Sequence, residues 1–314
     1  MPPSGVFWSS DCAGSRMNPK TPAELRPQFT ALSRALGLDP DGADTLSVLR
    51  DPERTSWRSI IELIDNERLG PYGTFRGCLD GTWLSDVPDP MAWQRTGGLA
   101  RGLLEHGVHN VIVGDLSEEW YLYSIAHPIR HEADVQENLE RYYPLIVQHM
   151  IDLYGRPPLA DAKVEELEKL FGVIASAGQV YLPVRLLHRD LLQAGFPTFR
   201  YTIKWTPEKA RPNGKQMFLM GLLRSAVQIG YVTHATDRVL WAFRIPELTD
   251  PQVDVARAWL DAIDQATQEL NLSHPGRRNL KEVLALQADK QVEWTVDENW
   301  DEATKMRKLL PGEL

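Results

Sequence analysis

Short extended runs separated by long helical stretches constrain this chain more than any other feature. Val111-Ile112-Val113 continues a core strand from His109 and leads into Gly114. Phe199-Arg200-Tyr201-Thr202-Ile203-Lys204-Trp205 alternates and is aromatic, the composition of a half-buried strand. Between these two runs the pattern is mostly helical, over about 132–194, with Val164–Phe171 and Pro183–Ala194 as its clearest stretches. Strands joined through helices cannot pair as hairpins. They line up parallel, with the helices packed on the faces of the sheet. The predicted class is therefore α/β with a mainly parallel sheet.

The remaining elements agree with that class. Thr21 is positioned to cap a helix that Pro22 opens and Gly37 ends. Further helices are predicted at Thr45–Arg50, Trp57–Ile64, 90–106 and Asp250–Leu270. Gly5-Val6-Phe7-Trp8 reads as a buried strand, and two extended pieces flank the Asp80-Gly81 turn. A strand pair at Glu282–Gln287 and Gln291–Val296 and a helix at Asn299–Leu309 close the chain. No linker and no repeat interrupts it, so the expectation is one domain over residues 1–314, with a mostly helical insert at 132–194.

Composition excludes some functions. With 34 basic and 43 acidic residues the formal charge is −9, and no basic stripe interleaves with aromatics, which argues against a nucleic-acid partner. Cys12 and Cys78 cannot build a disulfide framework. No apolar run in the sequence approaches the roughly 20 residues needed to span a bilayer. A cytoplasmic setting without membrane contact is the expectation.

Two segments carry candidate chemistry. Gly114-Asp115-Leu116-Ser117-Glu118-Glu119 places two carboxylates after a core strand, and Tyr231-Val232-Thr233-His234-Ala235-Thr236-Asp237 places a lone His on a turn. Taken singly, Glu119 reads as an exposed turn carboxylate and His234 as an ordinary surface or core histidine. Their order and setting resemble the C-terminal part of the type-B carboxylesterase/lipase family, the cholinesterase-like α/β-hydrolases. The resemblance runs along nearly the whole chain. Val6-Phe7-Trp8-Ser9-Ser10 falls where the family follows its nucleophile helix, and Leu79-Asp80-Gly81-Thr82-Trp83-Leu84 is similar to its Val-Asp-Gly-x-Phe-Leu. Gly114 to Glu119 matches Gly-x-x-x-Asp-Glu, His234 with Asp237 matches His-Gly-x-Asp/Glu, and Asp297 to Ala303 resembles its closing segment.

The resemblance implies a carboxylic-ester hydrolase with an acyl-serine intermediate, no metal and no organic cofactor. Its substrate would be a small-molecule ester, with Glu119 as triad acid, His234 as base and Asp237 as a supporting residue. It also implies an incomplete α/β-hydrolase fold, lacking the family's N-terminal strands and nucleophile elbow, a truncation that would expose apolar sheet and favour self-association. Departures leave two other readings open: a non-catalytic binding or scaffold protein, or the truncated product of a longer esterase gene. Trp120 and Ala235 stand where the family has glycine, and Gln216 to Ile229 is longer than the family's connection.

No G-x-S-x-G occurs in the sequence, and that motif forms the strained elbow on which α/β-hydrolases carry the nucleophile. Ile174-Ala175-Ser176-Ala177-Gly178 comes nearest, but it follows a helical pattern and would need a later acid such as Asp190. Ser9, Ser10 and Ser15 have no elbow glycines and read as turn residues. His188-Arg189-Asp190-Leu191 copies the start of a kinase catalytic loop by chance within a helix. His127 and His131, four apart, read as a solvated pair, not as metal ligands.

Overall fold

A computed structural model describes residues 6–7, 21–65, 69, 77–82, 89–140, 142–143, 146–155, 162–207, 231–243, 248–272, 279–310 and 312–313. Trp8, Ser9, Ser10, Cys12, Ser15, Trp83, Leu84 and the Gln216–Ile229 segment lie outside these residues. Five strands form one sheet in sequential order, β1 (Val6–Phe7), β2 (Val111–Leu116), β3 (Thr198–Ile203), β4 (Glu282–Leu286) and β5 (Val292–Val296). β1 to β4 run parallel and β5 turns back antiparallel on β4. The α/β class read from the strand–helix alternation is the one observed.

The interior strand β2 is buried at every position, as a parallel strand covered on both faces should be. Its alternating side chains feed two cores. Ile112 and Leu116 join Tyr201, Ile203 and Leu286 on one face, against Trp259 and Ile263 of α12 (Asp250–Leu272). Val111 and Val113 face the other way, onto Val184, Leu187 and Leu191 of α10 (Leu182–Gln193). Trp259 is completely buried, and burying an aromatic of that size stabilises by roughly 1.5–3 kcal/mol. A third cluster, around Leu139, Met150, Phe171 and Ile174, binds α7 (Glu132–Glu140), α8 (Val147–Tyr154) and α9 (Val164–Ser176) together.

Several elements differ from the sequence-based expectation. Gly114 lies inside β2, not on a turn after it. An added Cβ there would sit 2.4 Å from the Tyr201 ring, so the glycine clears space for an aromatic on the neighbouring strand. The helix expected over 90–106 is two, α4 (Pro90–Arg95) and α5 (Gly98–Glu105), because Gly97 takes φ +78° between them. The closing helix is likewise split, into α13 (Trp300–Ala303) and a 3-10 turn at Lys305–Leu309. The Thr21 cap is a full capping box with Glu24 at the start of α1 (Pro22–Ala35), and α2 (Thr45–Arg50) and α3 (Trp57–Asp65) follow it as expected.

α9 and α10 are one continuous 30-residue helix, Val164–Gln193, interrupted by a π turn at Ala177–Tyr181. By length and composition it is apolar enough to cross a membrane, which no reading of the sequence anticipated. Yet 83% of its most apolar window is buried inside the fold, the place of a core helix. The π turn has a local cause. Pro183 has no N–H to close the ordinary i→i−4 bond, and the Leu182 N–H bonds instead to the Ala177 carbonyl five residues back.

Candidate active site

The C-terminal end of β2 opens into a turn, Leu116 to Glu119, and then into α6 (Trp120–Ala126). The His-bearing loop, 231–237, precedes α11 (Arg238–Trp241). Glu118 joins the two loops through two hydrogen bonds. Its N–H donates to the Val232 carbonyl at 3.0 Å, and its carboxylate accepts the Val232 N–H at 2.7 Å. Thr233 adds a third tie, its hydroxyl accepting the Leu122 N–H at 3.2 Å. Glu118, the neighbour of the proposed acid, therefore has a definite task that its sequence position did not reveal.

These ties bring the two singled-out residues into contact. His234 Nδ1 lies 3.2 Å from Glu119 Oε2, although 115 residues separate them in sequence. The Glu119 side chain is fully buried and His234 is 17% exposed, so the carboxylate is enclosed while the imidazole side chain keeps some contact with solvent. Glu119 is not the exposed turn acid it would be by composition alone. Its other oxygen, Oε1, accepts the Leu116 N–H at 3.1 Å. Burial raises the Glu119 carboxyl above the usual range, with His234 and the Leu116 N–H pulling the other way.

Ala235 adopts φ +65°, the left-handed conformation that glycine enters without cost. The turn after the His therefore holds a residue other than glycine in the left-handed region. Thr236 braces the turn, its hydroxyl and its N–H both donating to the Thr233 carbonyl, at 2.6 and 3.0 Å. Trp120 occupies the first turn of α6 and stacks edge-on against Tyr231 at 5.0 Å. Asp237 is buried and accepts a hydrogen bond from Trp241 Nε1 at 2.7 Å, a supporting contact for the loop. Burial raises its carboxyl as well, against the hydrogen bond from Trp241.

Beside the acid turn lies a cavity of about 360 Å³, walled by Asp115, Ser117, Trp120, Tyr181, Arg185 and Thr202 among others. Glu119 and His234 are not in its lining, so the cavity adjoins the pair without containing it. A buried ion network forms one wall. Arg185 bonds Asp115 at 2.7 Å and Asp297 at 2.9 Å, and Arg200 bonds Asp297 at 2.6 Å. The sequence offered no sign of this network, because its members come from β2, α10, β3 and the segment after β5.

The other candidates fall elsewhere. Ser176 ends α9, and its hydroxyl donates to the Val173 carbonyl at 3.1 Å, a helical position without elbow geometry. Asp190 accepts from Gln94 at 2.6 Å and from Arg189 at 2.8 Å. His188 is buried in α10, its Nδ1 3.4 Å from the Thr198 hydroxyl. The expectation of a solvated His127–His131 pair needs correction. His127 Nε2 meets the Tyr142 hydroxyl at 2.7 Å and its ring packs on Phe171, while His131 pairs with Asp134. Among the described residues no group of His, Cys, Asp and Glu is arranged to hold a metal ion.

No family model matches the chain. It is 25% identical over 312 residues to an uncharacterised esterase/lipase of Schizosaccharomyces pombe, covering 95% of this chain and 53% of that protein. Its fold is similar to that of a carboxylesterase of Geobacillus stearothermophilus, with a TM-score of 0.56 at 12% identity, over 95% of this chain and 56% of that one. The chain therefore spans about half the length of each relative. The second likeness establishes the fold, part of an α/β-hydrolase, on grounds independent of the motifs.

Proposed function

We propose that the chain is an esterase/lipase-type α/β-hydrolase and that it supplies the acid, Glu119, and the base, His234, of a serine-hydrolase triad acting on a carboxylic ester. The observation that carries this reading is the 3.2 Å contact between a fully buried carboxylate and a partly exposed imidazole. In such a triad the carboxylate fixes the ring with Nδ1 protonated and stabilises the imidazolium. Nε2 takes the proton of a serine hydroxyl, which is too weak a nucleophile by itself. A buried Glu119 against Nδ1 and a partly exposed His234 side chain suit that division of labour. The chemistry uses neither metal nor organic cofactor.

The third member is not supplied by a motif of this sequence, which holds no G-x-S-x-G. In the reading proposed, the seryl nucleophile comes from polypeptide outside these 314 residues, in keeping with relatives about twice as long. A second reading, a ligand-binding protein on the same fold, is favoured by the missing elbow. It is disfavoured by Ala235, which keeps the glycine conformation after the His.

Two assays on the purified chain separate these readings. A fluorophosphonate probe, which requires an activated serine, is expected not to label it. Slow hydrolysis of p-nitrophenyl acetate is expected, and His234→Ala should abolish it while Glu119→Gln lowers it. Labelling lost on Ser176→Ala would overturn the assignment of the nucleophile to another segment. Hydrolysis indifferent to His234→Ala would remove the base and leave the binding reading.

A further inference from the structure

Tyr181, the last residue of the π turn, reaches into the acid-bearing turn from a helix more than 60 residues away in sequence. Its hydroxyl donates to the Leu116 carbonyl at 2.9 Å and accepts the Glu119 N–H at 3.1 Å. Leu116 and Glu119 are positions i and i+3 of that turn. In a closed turn the i carbonyl would take the i+3 N–H directly. Here the phenol oxygen bridges the two groups instead. Leu116 also helps to set the carboxylate, since its N–H holds Glu119 Oε1 while His234 holds Oε2.

We propose that Tyr181 is a positioning residue for the Glu119–His234 pair: its hydroxyl wedges the Leu116–Glu119 turn at the opening that aims the carboxylate at His234 Nδ1. This rests on the acid–base reading above and deepens it. The π turn is part of the device. Closing its hydrogen bond over one more residue than the α-helix, it changes the direction in which position 181 projects from a helix whose other faces are committed to the core. Without the hydroxyl, the Leu116 carbonyl and the Glu119 N–H are free to close on each other. That closure draws the Glu119 backbone inward, and displacements near 1 Å are enough to cost a catalytic constellation most of its function, on the order of a hundredfold.

Other readings of the phenol are weaker. A general acid or base must exchange its proton readily, and burial, followed by the nearby Glu119 and Asp115 charges, holds the Tyr181 hydroxyl well above its usual range. It is a fixed donor and acceptor.

The test reads the imidazole, not turnover. In the intact chain, ¹⁵N-labelled at histidine, the His234 ring should be held mainly as the Nδ1–H tautomer, which is the form the Glu119 carboxylate selects. Tyr181→Phe should shift His234 toward the Nε2–H tautomer that free imidazoles prefer. The control is Tyr154→Phe, which removes another buried hydroxyl bordering the same cavity, one without a hydrogen-bond partner among the described residues. It should leave the His234 spectrum unchanged. An unchanged His234 tautomer in a folded Tyr181→Phe chain overturns the proposal, whatever happens to its melting temperature. So does an equal shift in both variants. Should Tyr181→Phe not fold, 4-fluorophenylalanine at position 181 keeps the ring and fills the place of the hydroxyl while removing its two hydrogen bonds, and an unchanged His234 spectrum there also overturns it. Absence of ester hydrolysis would count against the proposed function and leave this measurement standing.

Discussion

Glu119 is a carboxyl group that the fold encloses although burial raises it above the usual range. Its folded carboxyl titrates above the unfolded value of 4.5, with burial as the main cause. A carboxyl shifted upward favours the folded state below the unfolded value and loses that contribution as pH rises through the folded one. Glu119→Gln is therefore expected to raise the melting temperature near neutral pH, with the gain shrinking toward pH 4.5, while His234-dependent hydrolysis falls. A neutral-pH melting temperature lower than that of the parent chain would show that the His234 contact outweighs burial. His188 runs the opposite way. Burial, then the Arg200 charge, hold it down to about 3 from 6.5. A downward-shifted base stabilises the fold above its unfolded value, and that stability drains away as pH falls from 6.5 toward 3. Urea midpoints measured at pH 7 and pH 5 should drop more in the parent chain than in His188→Phe. Ala235, at φ +65°, should gain roughly 0.5–1 kcal/mol on replacement by glycine, readable in the same denaturation curves.

The elements around the site are held at separations that leave no room for a methyl group. α6, which begins where the acid turn ends, crosses α9 at Gly172, and a Cβ on Gly172 would lie 2.3 Å from the Trp120 carbonyl. That oxygen is backbone and cannot swing aside. Gly172→Ala must therefore push α6 and the Glu119 turn away from α9, at an expected cost of about 1–3 kcal/mol. Fluorescence of Trp120 should report the displacement, and a chain with unaltered stability and emission would count against so close a crossing. The long helix Val164–Gln193 was legible as two helical stretches, because each carries its own apolar periodicity. The π turn joining them was not, since a proline inside a helical pattern reads equally as a stop. Only packing on both sides keeps the chain helical through Pro183.

At the scale of the whole molecule, the buried ion network fastens the sheet to its helices. Arg185 on α10 serves Asp115 of β2 and Asp297 beyond β5, and Arg200 of β3 shares Asp297. Burial pushes the Asp297 carboxyl up, but the two guanidiniums outweigh it and hold the group below its usual value. Burial, then the neighbouring Arg185 charge, lower Arg200 to about 10. Such a network adds little beyond a well-packed apolar replacement, yet removing one partner strands the others in the interior. Arg185→Met should cost about 3–5 kcal/mol in equilibrium unfolding, whereas the double replacement Arg185→Met, Asp115→Asn, which keeps the Asp297–Arg200 pair, should recover part of that loss. Equal losses in both would mean that the stranded Asp115 carboxylate is not the source of the cost.

The sequence by itself determined the class of fold and the candidates for the site. Apolar strands spaced by helical periodicity leave a parallel sheet as the only economical arrangement, and a carboxylate after a core strand with a His on a later turn are local features that need no partner to be seen. Tertiary structure alone decided what those candidates do. Nothing within Gly114–Glu119 says that Glu119 turns inward while Glu118 binds Val232, because the choice depends on a strand end and a loop 114 residues apart meeting across the sheet. The role of Gly114 depends on Tyr201 of the neighbouring strand, that of Ala235 on the Thr233–Thr236 brace, and that of Tyr181 on a helix turn generated by Pro183. Each is a long-range or conformational contact. Local sequence carries residue chemistry and periodicity; the enclosure that buries a carboxylate and aims it at an imidazole exists only once the chain has closed on itself.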